Sequence, residues 1–282
     1  MPDAVTEAMP DAMPDAWRAM DRAALSAAYD NSGAVAGSAA IVAGWRERSA
    51  ALRQAHPAEL DLGYGAEARQ RLDLFRCGAA GAPLLAFLHG GYWQRNAKEG
   101  FACMAEGPLA RGLDVALIGY TLAPEASLTR IAEEVGAALA VLRRREAGRL
   151  VVSGWSAGGH LAALALTRGQ ADAALAVSGI FDLAPIRGTA LNDALNLSPE
   201  EVEALSPIRH LPAASGPLTV AYGAEELPEL RRQSETYGAA WRAAGLPGAL
   251  RPLPGHDHFS VLSELIRPDG ALTEAAVALA RG

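Results

Sequence analysis

The sequence is poor in cysteine and lacks any long apolar run. Its two cysteines, Cys77 and Cys103, fall after a predicted strand and inside a predicted helix, so we expect free buried thiols rather than a disulfide. No apolar stretch approaches the roughly 20 residues that span a bilayer. Asp3 and Glu7 stand where a secretory signal would carry lysine or arginine. These absences predict a cytoplasmic protein without membrane contact.

Positive charge is also scarce. The 25 lysines and arginines are outnumbered by 32 aspartates and glutamates, which gives a formal net charge of −7. No basic run is interleaved with aromatic residues, as a surface that follows a phosphate backbone would require. Nucleic acid is therefore not an expected partner, and a small molecule is. With 282 residues, of which 50% are hydrophobic, the chain can bury a substantial core.

The first residues are repetitive, and the helical pattern begins after them. MPDA occurs at 1–4, 9–12 and 13–16, which predicts a disordered leader over 1–16 or an ambiguous start site. Residues 17–56 are alanine-rich with apolar residues at helical spacing, interrupted at 31–33, and predict N-terminal helices. No break in composition divides the remainder, so residues 17–282 are expected to form one domain.

Short apolar runs that end at glycine alternate with helical patterns over the rest of the chain. This alternation predicts an α/β fold with a mostly parallel central sheet flanked by helices. The first two strands are expected to pair antiparallel, and the looser segment 181–212 is expected to form a small helical lid together with the N-terminal helices. The predicted strands are 69–77, 83–90, 112–120, 149–155, 173–179, 216–223 and 248–255. The predicted helices are 127–145, 157–168, 228–245 and a closing helix from Phe259.

A candidate nucleophile lies in GWSAGGH, residues 154–160. Ser156 follows an apolar strand and precedes a helix, which is the setting of a nucleophile elbow. Small residues at Gly154, Gly158 and Gly159 allow the backbone to make the tight turn. The alternative, a phosphate-binding turn, is disfavoured because no P-loop lysine follows and no Gly-x-Gly-x-x-Gly is present.

A second glycine turn, HGGYW at residues 89–93, follows an earlier strand. Glycines at 90 and 91 let main-chain N–H groups face a reaction site, and Ala157 can contribute its N–H from the elbow. Gly90, Gly91 and Ala157 are therefore the candidate oxyanion hole. Tyr92, Trp93 and Trp155 are candidate walls for an aromatic substrate, with simple packing as the alternative for the two tryptophans.

The base and the acid are expected later in the chain, in the order serine, acid, histidine. His256 and His258 lie between the last strand and the closing helix, and Glu225 and Glu226 follow the preceding strand. Spacing alone does not choose within either pair. Asp182 is expected to fix its loop. A metal site is not expected, because His-x-His lacks a third ligand at a recognisable spacing.

The assembled motifs resemble those of α/β-hydrolases of the hormone-sensitive-lipase type, whose HGGG, YRLAPE and GDSAGG correspond here to HGGYW, YTLAPE and GWSAGG. FLHGGYWQ is more specifically similar to the kynurenine formamidases (arylformamidases). The similarity continues at 178–186, 226–234 and 257–262 and spans about residues 21–265. It implies the α/β-hydrolase fold, with Ser156 as nucleophile, His258 as base and Glu226 as acid. The animal enzymes carry aspartate at this last position.

The resemblance implies acyl transfer from an aryl amide or ester, with N-formylkynurenine as the first expected substrate and no cofactor. A general short-chain carboxylesterase and an aryl carbamate or amide hydrolase would use the same catalytic residues. A non-catalytic binding protein of the same fold is a further alternative, but it predicts the loss of a triad member. A homodimer is a reasonable expectation for an acidic cytoplasmic hydrolase.

Overall fold

The structure is a computed structural model that describes residues 16–146 and 148–282. Apart from Ala16, the predicted leader lies outside the described residues. An eight-stranded sheet forms the centre, in the order β1-β2-β4-β3-β5-β6-β7-β8. The strands are β1 Ala58–Gly63, β2 Arg71–Phe75, β3 Leu84–Leu88, β4 Asp114–Ile118, β5 Leu150–Trp155, β6 Ala173–Val177, β7 Leu218–Gly223 and β8 Gly248–Leu253. From β4 to β8 every neighbouring pair is parallel, which confirms the predicted fold class.

The antiparallel end of the sheet differs from the prediction. β2 pairs antiparallel with β4 rather than with β3, and its other edge pairs with β1, a strand absent from the prediction. β3 and β4 are parallel neighbours joined by a crossover that contains helices, so β3 offers its two edges to β4 and β5. β1 was not predicted, because its sequence AELDLG forms a largely exposed edge strand without a continuous apolar face.

Twelve α-helices and several 3-10 turns complete the described chain. Long helices cover both faces of the sheet, and the strands bury alternate residues against one face or the other. The α-helices are α1 Arg22–Ala28, α2 Asn31–Ala34, α3 Ser38–Ala55, α4 Glu106–Ala110, α5 Leu128–Arg145, α6 Ala157–Thr167, α7 Ala184–Arg187, α8 Asn192–Leu195, α9 Pro199–Leu205, α10 Pro228–Ala243, α11 Ser263–Ile266 and α12 Ala271–Arg281.

The strand residues show why the protein needs two helical layers. In β3, Leu84, Ala86 and Leu88 join one buried cluster, whereas Leu85 and Phe87 join the other. A strand buried on both faces is apolar at every position, as LLAFL is. The sheet therefore lies between two hydrophobic cores, one on each face.

The α5 helix shows how local sequence sets the helix bounds. The Ser127 side chain accepts a hydrogen bond from the N–H of Arg130 at 3.2 Å and so caps the first turn. Three arginines occupy the last turn, where the helix dipole favours positive charge. The predicted helix is confirmed, and its apolar stripe is buried against the sheet at Ile131, Val135, Leu139 and Leu142.

Two other regions depart from simple expectation. The closing helix is divided into a 3-10 turn, α11 and α12, because Pro268 and Gly270 interrupt it. The segment 181–212 forms α7, α8, α9 and a 3-10 turn. It meets the N-terminal helices at α8, where Arg22 donates to both Asp193 carboxylate oxygens at 2.6 Å, whereas α9 packs on α5. Cys77 and Cys103 are free, as predicted, but only Cys103 is buried, and Cys77 is partly exposed. Among the described residues no helix has the length and apolarity to cross a membrane.

Candidate active site

Ser156 occupies a strained turn between β5 and α6. Its φ is 57° and its ψ −117°, a conformation that side chains rarely adopt, and the residue is 2% exposed. The crossing is tight: a Cβ added to Gly154 would lie 2.2 Å from the Gly158 carbonyl oxygen, and one added to Gly158 would lie 2.0 Å from that of Leu88. The glycines flanking Ser156 are therefore required by backbone contact.

The loop after β3 is held by its own carbonyl group. The Gly90 carbonyl oxygen accepts from His89 Nδ1 at 2.9 Å and from Asn96 Nδ2 at 3.1 Å. Burial lowers the pKa of His89 to about 4, so its imidazole is neutral at pH 7 and donates through Nδ1–H. In a trans peptide the N–H points opposite to the carbonyl, so these two bonds also fix the direction of the Gly91 N–H.

Glu226 and His258 form one buried pair. His258 Nδ1 lies 2.9 Å from Glu226 Oε2, and the two residues are 3% and 5% exposed. The other Glu226 oxygen accepts from Ser178 Oγ at 2.5 Å and from the Gly223 N–H at 2.7 Å. Glu225 is exposed. Of the two adjacent glutamates, the structure brings Glu226 to the histidine.

His256 faces elsewhere. Its Nε2 lies 3.7 Å from Glu264 Oε1, at the surface side of the loop. Asp182 accepts from the Ala184 N–H at 3.1 Å and from Arg209 at 3.2 Å, so it fixes its own loop as expected. His256 and Asp182 therefore both lie apart from the Glu226–His258 pair.

Ser156 and His258 line the same pocket, which has a volume of about 120 Å³. Trp155 forms one wall and also holds the His258 loop, because its Nε1–H donates to the His258 carbonyl at 2.7 Å. Tyr92 forms another wall. The full lining is Asn31, Ser32, Val42, Gly91, Tyr92, Arg95, Asn96, Trp155, Ser156, His258 and Phe259.

Trp93 does not form the predicted pocket wall; it follows the alternative, simple packing. It is fully buried and packs edge-on against His160, with ring centroids 5.1 Å apart, and it does not line the pocket. Its strand-end position suggested a pocket wall, but the side chain is buried in one of the two hydrophobic cores. Tyr92 and Trp155 are the predicted aromatic residues that reach the pocket.

Sequence reasoning missed two groups of residues. Ser178, which supports Glu226, follows β6 in the short motif VSG, and only its position after a parallel strand could have indicated a role. Asn31, Ser32 and Val42 come from the N-terminal helices, and NSG signalled no more than a helix break. The 181–212 segment contributes Ala190 and Leu191 to a neighbouring cavity of about 350 Å³ rather than to the pocket with Ser156.

The described residues contain no group of three histidine, cysteine, aspartate or glutamate side chains that could hold a metal ion. The side chains brought together are instead a serine, an imidazole and a carboxylate at the carboxyl ends of parallel strands. This edge is where open α/β sheets place their ligands.

Comparisons with known proteins agree with this architecture. A family model described as BD-FAE matches residues 72–182. The kynurenine formamidase of Danio rerio is 31% identical over 232 residues, which cover 76% of this chain and 79% of that protein. A solved structure of a candidate thioesterase from Silicibacter sp. superposes with a TM-score of 0.81 at 28% identity, covering 92% of this chain and 99% of the other.

An esterase from Pyrobaculum calidifontis shares the fold, with a TM-score of 0.66 at 20% identity over 86% of this chain and 93% of that one. The identity to the Danio rerio enzyme extends over most of both chains. The chain is therefore a hydrolase of the α/β-hydrolase fold and belongs to the kynurenine formamidase family.

Proposed function

We propose that this hydrolase uses Ser156 to remove a formyl or other small acyl group from an aryl amide, with N-formylkynurenine as its first candidate substrate. The observation that carries the proposal is the buried Glu226–His258 pair, whose histidine lines the same pocket as Ser156. Acyl transfer by serine needs a base beside the nucleophile and a third group that holds the base in one tautomer. Membership of the kynurenine formamidase family supports the substrate.

In the first half of the reaction, Ser156 Oγ attacks the acyl carbon as His258 Nε2 takes its proton. Glu226 accepts the Nδ1–H bond of the imidazole and stabilises the imidazolium. The carbonyl oxygen becomes an oxyanion, for which the N–H groups of Gly91 and Ala157 are the proposed donors, with Gly90 shaping the turn. The C–N bond then breaks, and His258 gives its proton to the leaving nitrogen.

In the second half, His258 takes a proton from water, whose oxygen attacks the acyl-Ser156 carbon. The collapse of this intermediate releases the acid, formate in the case of a formamide, and returns the proton to Ser156. The pocket size supports a small acyl group: a cavity of about 150 Å³ accommodates benzene, and this pocket measures about 120 Å³. No step needs a cofactor or a metal.

A short-chain carboxylesterase is the second candidate. The structural neighbour from Pyrobaculum calidifontis is an esterase, and an ester requires the same serine, base and acid. An aryl carbamate or amide hydrolase would also use these residues. Enzymes with these activities would differ only in the side chains that contact the acyl group and the leaving group of the substrate.

The test compares kcat/KM for N-formyl-L-kynurenine with that for p-nitrophenyl acetate and butyrate, on chelator-treated enzyme. We expect a strong preference for the formamide. Hydrolysis of the esters with no measurable turnover of the formamide would contradict the arylformamidase assignment and favour the carboxylesterase. Loss of all activity after chelation would contradict the serine mechanism itself.

A further inference from the structure

The indole ring of Trp155 lies between the two loops that flank Ser156. Its Nε1–H donates to the His258 carbonyl oxygen at 2.7 Å. The opposite edge of the ring covers Gly90, since a Cβ added to Gly90 would lie 2.6 Å from Trp155 Cε3, and the ring fits there only because residue 90 has no side chain. Trp155 is 4% exposed. Its indole is therefore a buried spacer between the loop after β3 and the loop that carries His258.

The same ring meets the imidazole of His258. The two ring centroids lie 5.0 Å apart, and the ring planes are inclined by 38°. Coplanar rings that touch edge to edge keep their centroids farther apart, and an edge-to-face pair is nearly perpendicular. The imidazole therefore lies over part of the indole face, in the offset arrangement that aromatic pairs favour. Trp45, Phe101 and Phe259 surround Trp155, with ring centroids 5.5 to 6.0 Å from its own, and hold it in place.

The face of an indole ring is electron-rich. Among aromatic side chains it attracts a cation most strongly, over centroid distances of up to about 6 Å. In the proposed reaction His258 takes the Ser156 proton on Nε2 and becomes an imidazolium, so positive charge develops beside this face. The ring attracts the charged form of His258 more than the neutral form. An interaction that strengthens as the charge develops accelerates the reaction.

Few charged groups surround the imidazole among the described residues. Glu226 Oε2 lies 2.9 Å from His258 Nδ1. The Asp257 carboxylate accepts the main-chain N–H groups of the two residues that follow His258, at 2.8 and 2.7 Å. Arg95 and Tyr92 line the same pocket, and burial raises the pKa of the Tyr92 hydroxyl far above its ordinary value, so this group stays neutral. Glu226 thus stabilises the imidazolium at its Nδ1 edge, and the indole contacts its face.

We propose that Trp155 is a positioning residue for His258, whose N–H anchors the main chain of the base and whose ring face stabilises the imidazolium formed during acyl transfer. The inference rests on the proposed function and adds a partner for the base beside Glu226. It applies equally to an amide and to an ester, because both reactions form the same imidazolium.

The acidic limb of the pH profile of kcat/KM distinguishes this role from simple packing, because it reports protonation of the base in the free enzyme. The substrate is whichever of N-formyl-L-kynurenine and p-nitrophenyl acetate is turned over faster. Trp155→Leu should shift the midpoint of the limb downward by about 0.5 to 1 pH unit, because the imidazolium loses its partner. The plateau of kcat/KM should fall about 3- to 10-fold. A ring that only excluded water would have the opposite effect, since its removal would hydrate the imidazolium and shift the midpoint upward.

Two further variants separate the contacts of the indole. Trp155→Phe keeps a ring face and removes the N–H, and its midpoint should lie between those of the wild type and Trp155→Leu. Trp241→Leu is the matched control, because the Trp241 Nε1–H also donates to a main-chain carbonyl, that of Pro247 at 2.9 Å, but the residue does not line the pocket. It should lower stability and leave the midpoint unchanged.

Should Trp155→Leu fail to fold, as judged by circular dichroism, wild-type enzyme produced with ring-fluorinated tryptophan supplies the second measurement. Fluorine withdraws electrons from the ring face and nearly preserves its shape, so the midpoint should again move downward. A midpoint that is unchanged or raised in both Trp155→Leu and the fluorinated enzyme would overturn the inference alone. Wild-type kcat/KM without an acidic limb would refute the proposed function and this inference together.

Discussion

The two walls of the pocket are built in different ways. The inner wall comes from the carboxyl ends of parallel strands: Ser156 and His258 follow β5 and β8 and line the pocket, and Glu226, which follows β7, contacts His258 from outside the pocket. The outer wall comes from the N-terminal helices, where Asn31 and Ser32 line the pocket and the Asn31 side chain is held beside Tyr92 by a hydrogen bond. We infer that the residues of the inner wall carry out the reaction and that the side chains of the outer wall select what enters the pocket. Substitutions in the inner wall should therefore change the rate of reaction, and substitutions in the outer wall should change the choice of substrate.

The largest effect is expected from Ser156→Ala. Removal of the nucleophile oxygen should lower kcat by roughly 10⁶-fold, because acyl transfer then has no covalent route. The measurement is kcat on the preferred substrate, with thermal unfolding as the control for an intact fold. A folded variant that keeps a tenth of the wild-type activity would contradict the assignment.

Next in size is Glu226→Gln. A glutamine amide presents a donor where the imidazole needs an acceptor, so the His258 tautomer is lost and kcat should fall about 10³- to 10⁴-fold. Glu225→Gln is the matched control, because this adjacent glutamate is exposed, and its kcat should remain near the wild-type value. The reverse ranking of the two variants would move the acid by one residue.

Gly91→Ala tests the oxyanion loop. Gly91 has φ +117°, and an added Cβ would lie 2.5 Å from the Arg95 carbonyl oxygen, so the loop must shift and kcat should fall about 10²-fold. Gly112→Ala is the matched control, since Gly112 also has a positive φ, +85°, but open space around it. It should lower stability slightly without changing kcat. Equal kcat in both variants would show that the loop containing Gly91 takes no part in catalysis.

Stability should decline in mild acid because of two histidines behind the inner wall. Burial lowers the pKa of His89 and of His160 to about 4. In the unfolded chain these imidazoles titrate near 6.5, so the unfolded state binds more protons between pH 6.5 and 4, and the free energy of unfolding falls as the pH is lowered through this window. Each histidine accounts for roughly 3 kcal/mol.

The measurement is urea unfolding at several pH values. His160→Gln retains a donor for the Leu205 carbonyl, which His160 Nε2 contacts at 2.7 Å, and should make the decline between pH 6.5 and 4 shallower than in the wild type. If the free energy of unfolding depended on pH identically in the two proteins, the pKa of His160 would not be lowered in the folded state.

The smallest effect belongs to the outer wall. Tyr92→Phe removes the hydroxyl that joins Tyr29 to Asn31, and should lower the free energy of unfolding by about 1 to 2 kcal/mol. KM should rise several-fold at nearly constant kcat. Tyr222→Phe removes a hydroxyl that donates to Glu235 at 2.9 Å away from the pocket, and should leave KM unchanged. A large fall in kcat for Tyr92→Phe would show that the outer wall also contributes to the chemical step.

The difference between the two walls also explains which residues could be predicted from the sequence. Ser156 and its glycines were predictable because a tight strand-to-helix turn admits few residue types, and the continuous apolar strands indicated a parallel sheet. Glu226 and Glu225 could not be separated by spacing, because only the fold buries one and exposes the other. The position of Asn31 beside the pocket could not be predicted, because it depends on a hydrogen bond to Tyr92, which is far away in the sequence. β1 was missed because an exposed edge strand needs no apolar run.

Covalent labelling can show whether Ser156 is the nucleophile. The enzyme would be inactivated with diisopropyl fluorophosphate, digested and analysed by mass spectrometry. We expect one phosphoryl adduct on the peptide that contains Ser156, formed in step with the loss of activity, and no adduct in Ser156→Ala. Complete inactivation with the adduct on another residue, or full activity with Ser156 modified, would contradict the assignment of Ser156 as nucleophile.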